Sequence, residues 1–118
     1  MEKTAIEKFM EEREKLNGFV MKYADNTIKR FFSLDNQTYR EGALDKKTKE
    51  MLGFVASLVL RCEDCIDYHL GRCHEEGVTD AEFAEMVSVG MIVGGSITVP
   101  HMRRAFKKWD ELRNCVEK

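Results

Sequence analysis

Residues 61–69 read Arg-Cys-Glu-Asp-Cys-Ile-Asp-Tyr-His and bring Cys62, Cys65 and His69 within less than three helical turns. These residue types support two kinds of chemistry. A Cys-x-x-Cys pair can cycle between dithiol and disulfide, with the thiolate as nucleophile. The same side chains are soft ligands for zinc. The bland alternative is a helix carrying two small buried hydrophobes.

Helical geometry narrows the choice. With Cys62 as origin, Cys65, His69 and Cys73 follow three, seven and eleven residues on. At about 100° per residue the four fall within roughly 80° of one another, one stripe on one face. Cys65 and His69 are i,i+4 neighbours whose side chains can meet. Cys62 lies two turns from His69 and is reached only through water or a distorted first turn. A four-ligand zinc site fits poorly, because the stripe spans about 16 Å along the axis and tetrahedral ligands must converge. No second Cys-x-x-Cys closes such a site. If the helix begins near Cys62, its free N–H groups and dipole favour a thiolate there. Arg61 adds to that effect; Glu63 and Asp64 oppose it. Cys73 and Cys115 read as structural thiols, and His74 and His101 as surface residues.

The elements that must position this stripe read as helices throughout. Strand signals are poor, and Pro100 demotes the one β-branched cluster, "GGSITVPH". Ile6, Phe9, Met10 and Leu16 predict a helix over 2–16, stopped or kinked at Asn17-Gly18. A second helix is expected over 19–34, with Phe19, Tyr23, Ile28, Phe31 and Phe32 as core contacts. Asp45 is placed to cap a third helix over 46–60. The opening motif lies on a fourth, ending near Glu76 and Gly77. "TDAE" at 79–82 is a capping box for a fifth that ends at Gly94-Gly95. A sixth runs from Ser96 or Val99 to Cys115, with Pro100 tolerated in its first turn. The third helix is apolar nearly all round and must be covered on more than one side, which predicts oligomerisation.

Composition bounds the rest. The 118 residues suit a single domain, with 1–40 as N-terminal helices, 41–96 as the motif-bearing core and 97–118 as the C-terminal helix. The net charge of −2 gives no electrostatic reason to expect nucleic acid or an anionic membrane as partner. No segment approaches the roughly 20 apolar residues that span a bilayer. The N-terminus lacks a signal-peptide pattern, so a cytoplasmic location is expected. There, cysteines read as redox or metal-binding groups rather than a structural disulfide framework.

The pattern Glu-x11-Cys-x2-Cys-x3-His, preceded by "GALDKKTKE" and followed by "HEEGVTDAEFAEMVSVG" and "VGGS", resembles the carboxymuconolactone decarboxylase superfamily. Within it, the likeness is to the alkyl hydroperoxidase D-like branch. Glu50, Cys62, Cys65 and His69 occupy the motif positions. The resemblance implies an all-helical fold of about six helices that assembles into trimers or hexamers. It implies a thiol-dependent peroxidase or disulfide oxidoreductase that acts on a peroxide or disulfide and is recycled by an external reductant. Glu50 and His69 would relay protons to the cysteines, with no metal and no cofactor. By similarity the decarboxylase members generally lack the cysteine pair. A lactone enzyme on the same scaffold and a non-enzymatic redox or zinc-binding protein are the alternatives. In one respect the chain departs from the peroxidase pattern: Asp64 stands where those members often carry a histidine. From the residues alone Glu50 reads as a helix-surface glutamate, about 18 Å from Cys62 in a continuous helix. A break near Arg61 would bring it to the stripe.

Overall fold

Five of the six α-helices among the described residues begin at a side chain that captures a free backbone N–H. The computed structural model describes residues 2–116, with side chains through 114. α1 (Ala5–Tyr23) starts at a capping box: Glu7 N–H donates to Thr4 Oγ1 at 3.1 Å and Thr4 N–H donates to the Glu7 carboxylate at 2.7 Å. Asp25 caps α2 (Asn26–Thr38) and Asp45 caps α3 (Lys46–Leu60). Cys62 caps α4 (Glu63–Glu75), and the Thr79–Glu82 box opens α5 (Asp80–Gly94). A 3-10 turn (Ser96–Thr98) leads into α6 (Val99–Val116). The protein is all-α; no strand occurs among the described residues.

The core lies where α3, α4, α5 and α6 meet. Phe54 and Leu58 of α3, Ile66 and Leu70 of α4, and Phe83 and Val87 of α5 are buried. Phe83 is the hub. It stacks on Trp109 of α6 with ring centroids 4.3 Å apart and planes 4° apart, and it also meets Phe54 and Phe106. Such aromatic pairs add roughly 0.5–1.5 kcal/mol each beyond the area they bury. α1 reaches this core through Ile6.

The break between α3 and α4 positions the site. Arg61 has φ 59° and ψ 40°, the only left-handed non-glycine residue among those described. Its N–H donates to Leu58 O and the Cys62 N–H to Ser57 O, both at 3.1 Å. This is a Schellman ending, which satisfies α3 carbonyls while reversing the chain in two residues. α4 therefore packs back along α3, and Glu50 faces the motif helix.

Two expectations fail near the N-terminus. α1 does not stop at Asn17-Gly18; it runs on to Tyr23, and α2 begins at Asn26 rather than residue 19. A single glycine in a helix costs only about 1 kcal/mol, less than a long capped helix can absorb. The chain turns instead at Ala24-Asp25, where the backbone is extended and Asp25 supplies a cap. The expected core contacts also fail. Phe19 is 67% exposed, Tyr23 80%, Phe31 71% and Ile28 40%, while Phe32 is half-buried. α2 has no buried residue. The interior is filled by the other helices, and nothing among the described residues covers this face. α3 behaves as its composition requires: Phe54 and Leu58 are buried, whereas Leu52 and Leu60 on its other sides stay exposed.

Candidate active site

The site is built from the first half of α3, the first two turns of α4 and Tyr39, which follows α2 at the start of the connector to α3. Cys62 and Cys65 form a disulfide across the first turn of α4, with Cα atoms 5.2 Å apart. Cys62 is the N-cap residue, and the Cys65 N–H donates to its sulfur at 3.3 Å. Cys62 is half-buried and Cys65 exposed. The two sulfurs thus differ: one sits among free N–H groups at the positive end of a helix dipole, and the other faces outward.

One turn further in, His69 is buried beside Glu50, itself only 1% exposed. His69 Nδ1 lies 2.9 Å from Glu50 Oε1. A carboxylate only accepts, so this contact assigns the ring proton to Nδ1 and leaves the lone pair on Nε2. Glu50 Oε2 is 3.8 Å from Lys46 Nζ and 3.7 Å from Arg72 Nε. These cations face a carboxylate whose burial would be costly alone. Arg72 Nε is buried without a hydrogen-bond partner, so its tie to Glu50 is through space. The surface-glutamate reading of Glu50 is therefore corrected, and the reversal at Arg61 is the physical reason.

His69 Nε2 does not reach the thiol pair in this disulfide form. Its neighbour is the Tyr39 hydroxyl at 3.4 Å, and no hydrogen bond joins His69 to either sulfur among the described residues. The imidazole is enclosed by Tyr39 (centroids 5.2 Å apart, planes at 41°), by Tyr68 (5.1 Å, 76°) and by Gly53 of α3. Cys65, Tyr68 and His69 share the wall of one cavity of about 420 Å³. Burial raises the Tyr39 phenol above its ordinary value, helped by the negative charges of Asp35 and Glu50. Tyr39 therefore stays a hydroxyl at neutral pH.

Of the expected stripe, Cys65, His69 and Cys73 run from the surface into the interior. Cys73 is fully buried, and burial first, then Glu50 and Glu76, pushes its thiol up to about 12. Cys115 lies outside the residues whose side chains are described. No group of three or more His, Cys, Asp or Glu side chains arranged to hold a metal ion occurs among the described residues.

His74 and His101 are half-buried rather than surface residues. His74 stands edge-on to Trp109, and His101 bonds Glu63 of α4. Arg104 joins the same carboxylate at 2.9 Å, and Lys108 binds Asp67 at 2.7 Å. Part of the basic run "RRAFKK" is thus spent on α4 rather than solvated. Burial would raise the Glu63 carboxyl, but the bonds from Arg104 and His101 outweigh it and hold it below its ordinary value. For Asp67 burial wins over Lys108, and its carboxyl is raised.

A family model, described as the carboxymuconolactone decarboxylase family, matches residues 26–108, most of the chain. The chain belongs to the carboxymuconolactone decarboxylase family. The match extends beyond the quoted motifs on both sides and takes in α2 and most of α6. Two crystal structures of TM1620 from Thermotoga maritima are 51% identical to this family member and superpose with TM-scores of 0.91 and 0.89. They cover 93% of this chain, and the match takes in 96% and 93% of theirs. One of them is described as a family protein with a suggested part in the antioxidative response. Apo-lpg0406 of Legionella pneumophila, another family protein, shares the fold at 23% identity and a TM-score of 0.82, over 90% of this chain and 95% of that one. A Paracoccus denitrificans protein described as uncharacterized protein 4 in cox locus is 28% identical over 82 residues, 70% of this chain and 74% of its own length.

Tyr39, Gly53 and Arg72 were not singled out by sequence reasoning. Tyr39 stands alone in a polar connector, with no periodicity to mark it. Gly53 had a readable signal: it lies one helical turn after Glu50.

Proposed function

We propose that this family member is a thiol-dependent peroxidase or disulfide oxidoreductase. The observation that carries the reading is an exposed disulfide sulfur, Cys65, on the wall of a cavity shared with a histidine held by a buried carboxylate. In the reduced protein His69, oriented by Glu50, takes the Cys65 proton. The Cys65 thiolate attacks one peroxide oxygen and the O–O bond breaks. Cys65 becomes a sulfenic acid, and the departing alkoxide takes the proton back from His69 and leaves as an alcohol. The Cys62 sulfur then attacks the sulfenic sulfur, water leaves and the disulfide closes. An external dithiol returns two electrons by exchange. Cys62 suits the resolving role, since its place at the helix N-cap stabilises it as a thiolate. Because the cycle needs a reductant, the reading places the protein in the cytoplasm. No helix among the described residues is long and apolar enough to cross a membrane.

Assembly into a trimer or hexamer belongs to the same proposal. Phe19 and Phe31 on the first two helices, Leu60 on α3 and Ile92 on α5 are exposed in one chain. Apolar surface on this scale is ordinarily covered by a partner. Sedimentation at micromolar concentration tests it, and a monomer would remove it.

The function is tested by counting free thiols before and after a small excess of hydroperoxide, in reduced wild type and in Cys62→Ser. The wild type should lose two thiols that a reductant restores. The variant should stop at a sulfenic acid on Cys65. No loss, or loss at other cysteines, would sink the redox reading. Lactone turnover that survives in Cys62→Ser would favour a decarboxylase-type enzyme instead.

A further inference from the structure

The wall of the Cys65 cavity carries an unbalanced charge. Glu12 of α1, Asp35 of α2 and Asp64 of α4 line it, against a single cation, Arg13. None of the three carboxylates has an ion-pair or hydrogen-bonding side-chain partner among the described residues. The Arg13 guanidinium lies over the Tyr68 ring, 4.1 Å from its centroid, so it is held against the wall. Glu63, on the same turn of α4, is in contrast bound to His101, Arg104 and Lys108 of α6. The acidic residues that remain uncompensated near the disulfide are those on the cavity side. Phe9 and Leu16 supply apolar wall between them.

We infer that this cavity selects the partner of the Cys62–Cys65 pair by charge: it admits neutral or cationic thiols and disfavours anionic ones. The inference rests on the redox reading above and adds the chemical class of the reductant. In the step concerned, a partner thiolate attacks Cys65 Sγ and Cys62 leaves as a thiolate. A second partner thiolate then attacks the mixed disulfide and releases Cys65. The partner is oxidised to its disulfide by two electrons, and the two protons it gives up finish on Cys62 and Cys65. The attacking sulfur is already negative, so any further negative charge on its carrier meets Glu12, Asp35 and Asp64 as it enters. The reductant that fits is a dithiol presented on a neutral or basic surface, not a carboxylate-bearing small thiol such as glutathione.

Three small thiols of similar size separate the charges: cysteamine (cationic), 2-mercaptoethanol (neutral) and 2-mercaptoethanesulfonate (anionic). The rate of opening of the protein disulfide is measured for each, per thiolate, and divided by the same thiol's rate on a small neutral disulfide. The rates should fall in that order, with roughly tenfold or more between the first and last at low ionic strength. At 1 M salt, where the screening length is about 3 Å, the spread should collapse. The double variant Glu12→Gln with Asp35→Asn should narrow it, while Glu85→Gln, an exposed change on α5, should leave it as it was. Equal rates for the three thiols, or a spread unmoved by salt and by the double variant, would overturn charge selection and leave the redox reading standing. A disulfide that none of the three opens would overturn both.

Discussion

A Cβ placed on Gly53 would sit 2.7 Å from His69 Cε1 and 2.9 Å from each ring nitrogen, so the imidazole lies directly against the backbone of α3. No other residue type leaves room for the ring where it meets Glu50. In an exposed helix, glycine to alanine stabilises by about 1 kcal/mol. Here the sign should reverse. Gly53→Ala should lose roughly 1–3 kcal/mol in urea unfolding, because the buried ring must move off its seat. Its rate of thiol oxidation by peroxide should fall about a hundredfold, as the displaced ring leaves Glu50. A variant more stable than wild type with an unchanged rate would show that the contact yields freely.

The same relationship shows what the sequence could and could not disclose. The helices were legible because their caps are local: Asp45, Thr79 and Glu82 act within four residues. Glu50 was half-legible. It shares a face with Phe54 and Leu58 at four-residue intervals, and a glutamate in line with core residues is a buried glutamate. Its partner was not legible from residues alone, since the pairing depends on a two-residue reversal at Arg61, and arginine carries no signal for a left-handed backbone. α2 misled for a different reason. Ile28, Phe31 and Phe32 have helical spacing, but periodicity tells which face is apolar and not what covers it.

Cys73 should give the chain an alkaline weakness. Its thiol is pushed from 9.0 up to about 12 in the fold, so between these values the unfolded chain releases a proton that the native protein keeps. Stability is fully present below pH 9 and falls as pH rises, by about 1.4 kcal/mol at pH 10. Unfolding free energies of wild type and Cys73→Ala, measured from pH 8 to 10, should therefore converge by that amount, whatever the cavity costs at neutral pH. Parallel curves would contradict the buried, un-ionised thiol. Lysines and tyrosines titrate in both proteins and cancel.

The Arg104–Glu63 pair should act at the other end of the scale. The Glu63 carboxyl is held below its ordinary value, so its stabilising effect is present above the unfolded value of 4.5 and is lost as pH falls through the lower folded one. About a third of the Glu63 side chain is exposed, and solvent screens the pair. Arg104→Met should therefore destabilise only slightly at pH 7. The cost should shrink in high salt and disappear once Glu63 is protonated in both states. A cost that persists at pH 2 would assign it to lost packing of the arginine stem instead.

The Tyr39 hydroxyl stands at the nitrogen to which the proposed mechanism assigns the proton transfer. With Nδ1 committed to Glu50, only Nε2 can accept a thiol proton, and Tyr39 occupies it at 3.4 Å. A hydroxyl can donate to the neutral ring and accept from the protonated one without moving, since it carries both a proton and lone pairs. Its raised phenol value keeps that proton in place through mildly alkaline pH. Tyr39 is thus suited to hold His69 ready in the disulfide form and to support the imidazolium once the thiol gives up its proton. Tyr39→Phe keeps the ring that packs on His69 and removes the hydroxyl alone. At 3.4 Å the bond is long and weak, so the variant should lose less than about 1 kcal/mol of stability. Its peroxide reaction should slow about tenfold near neutral pH, and the pH dependence of that rate should shift, which a packing defect would not produce. A faster reaction would reverse the assignment: Tyr39 would then be a cap that must leave before His69 can act.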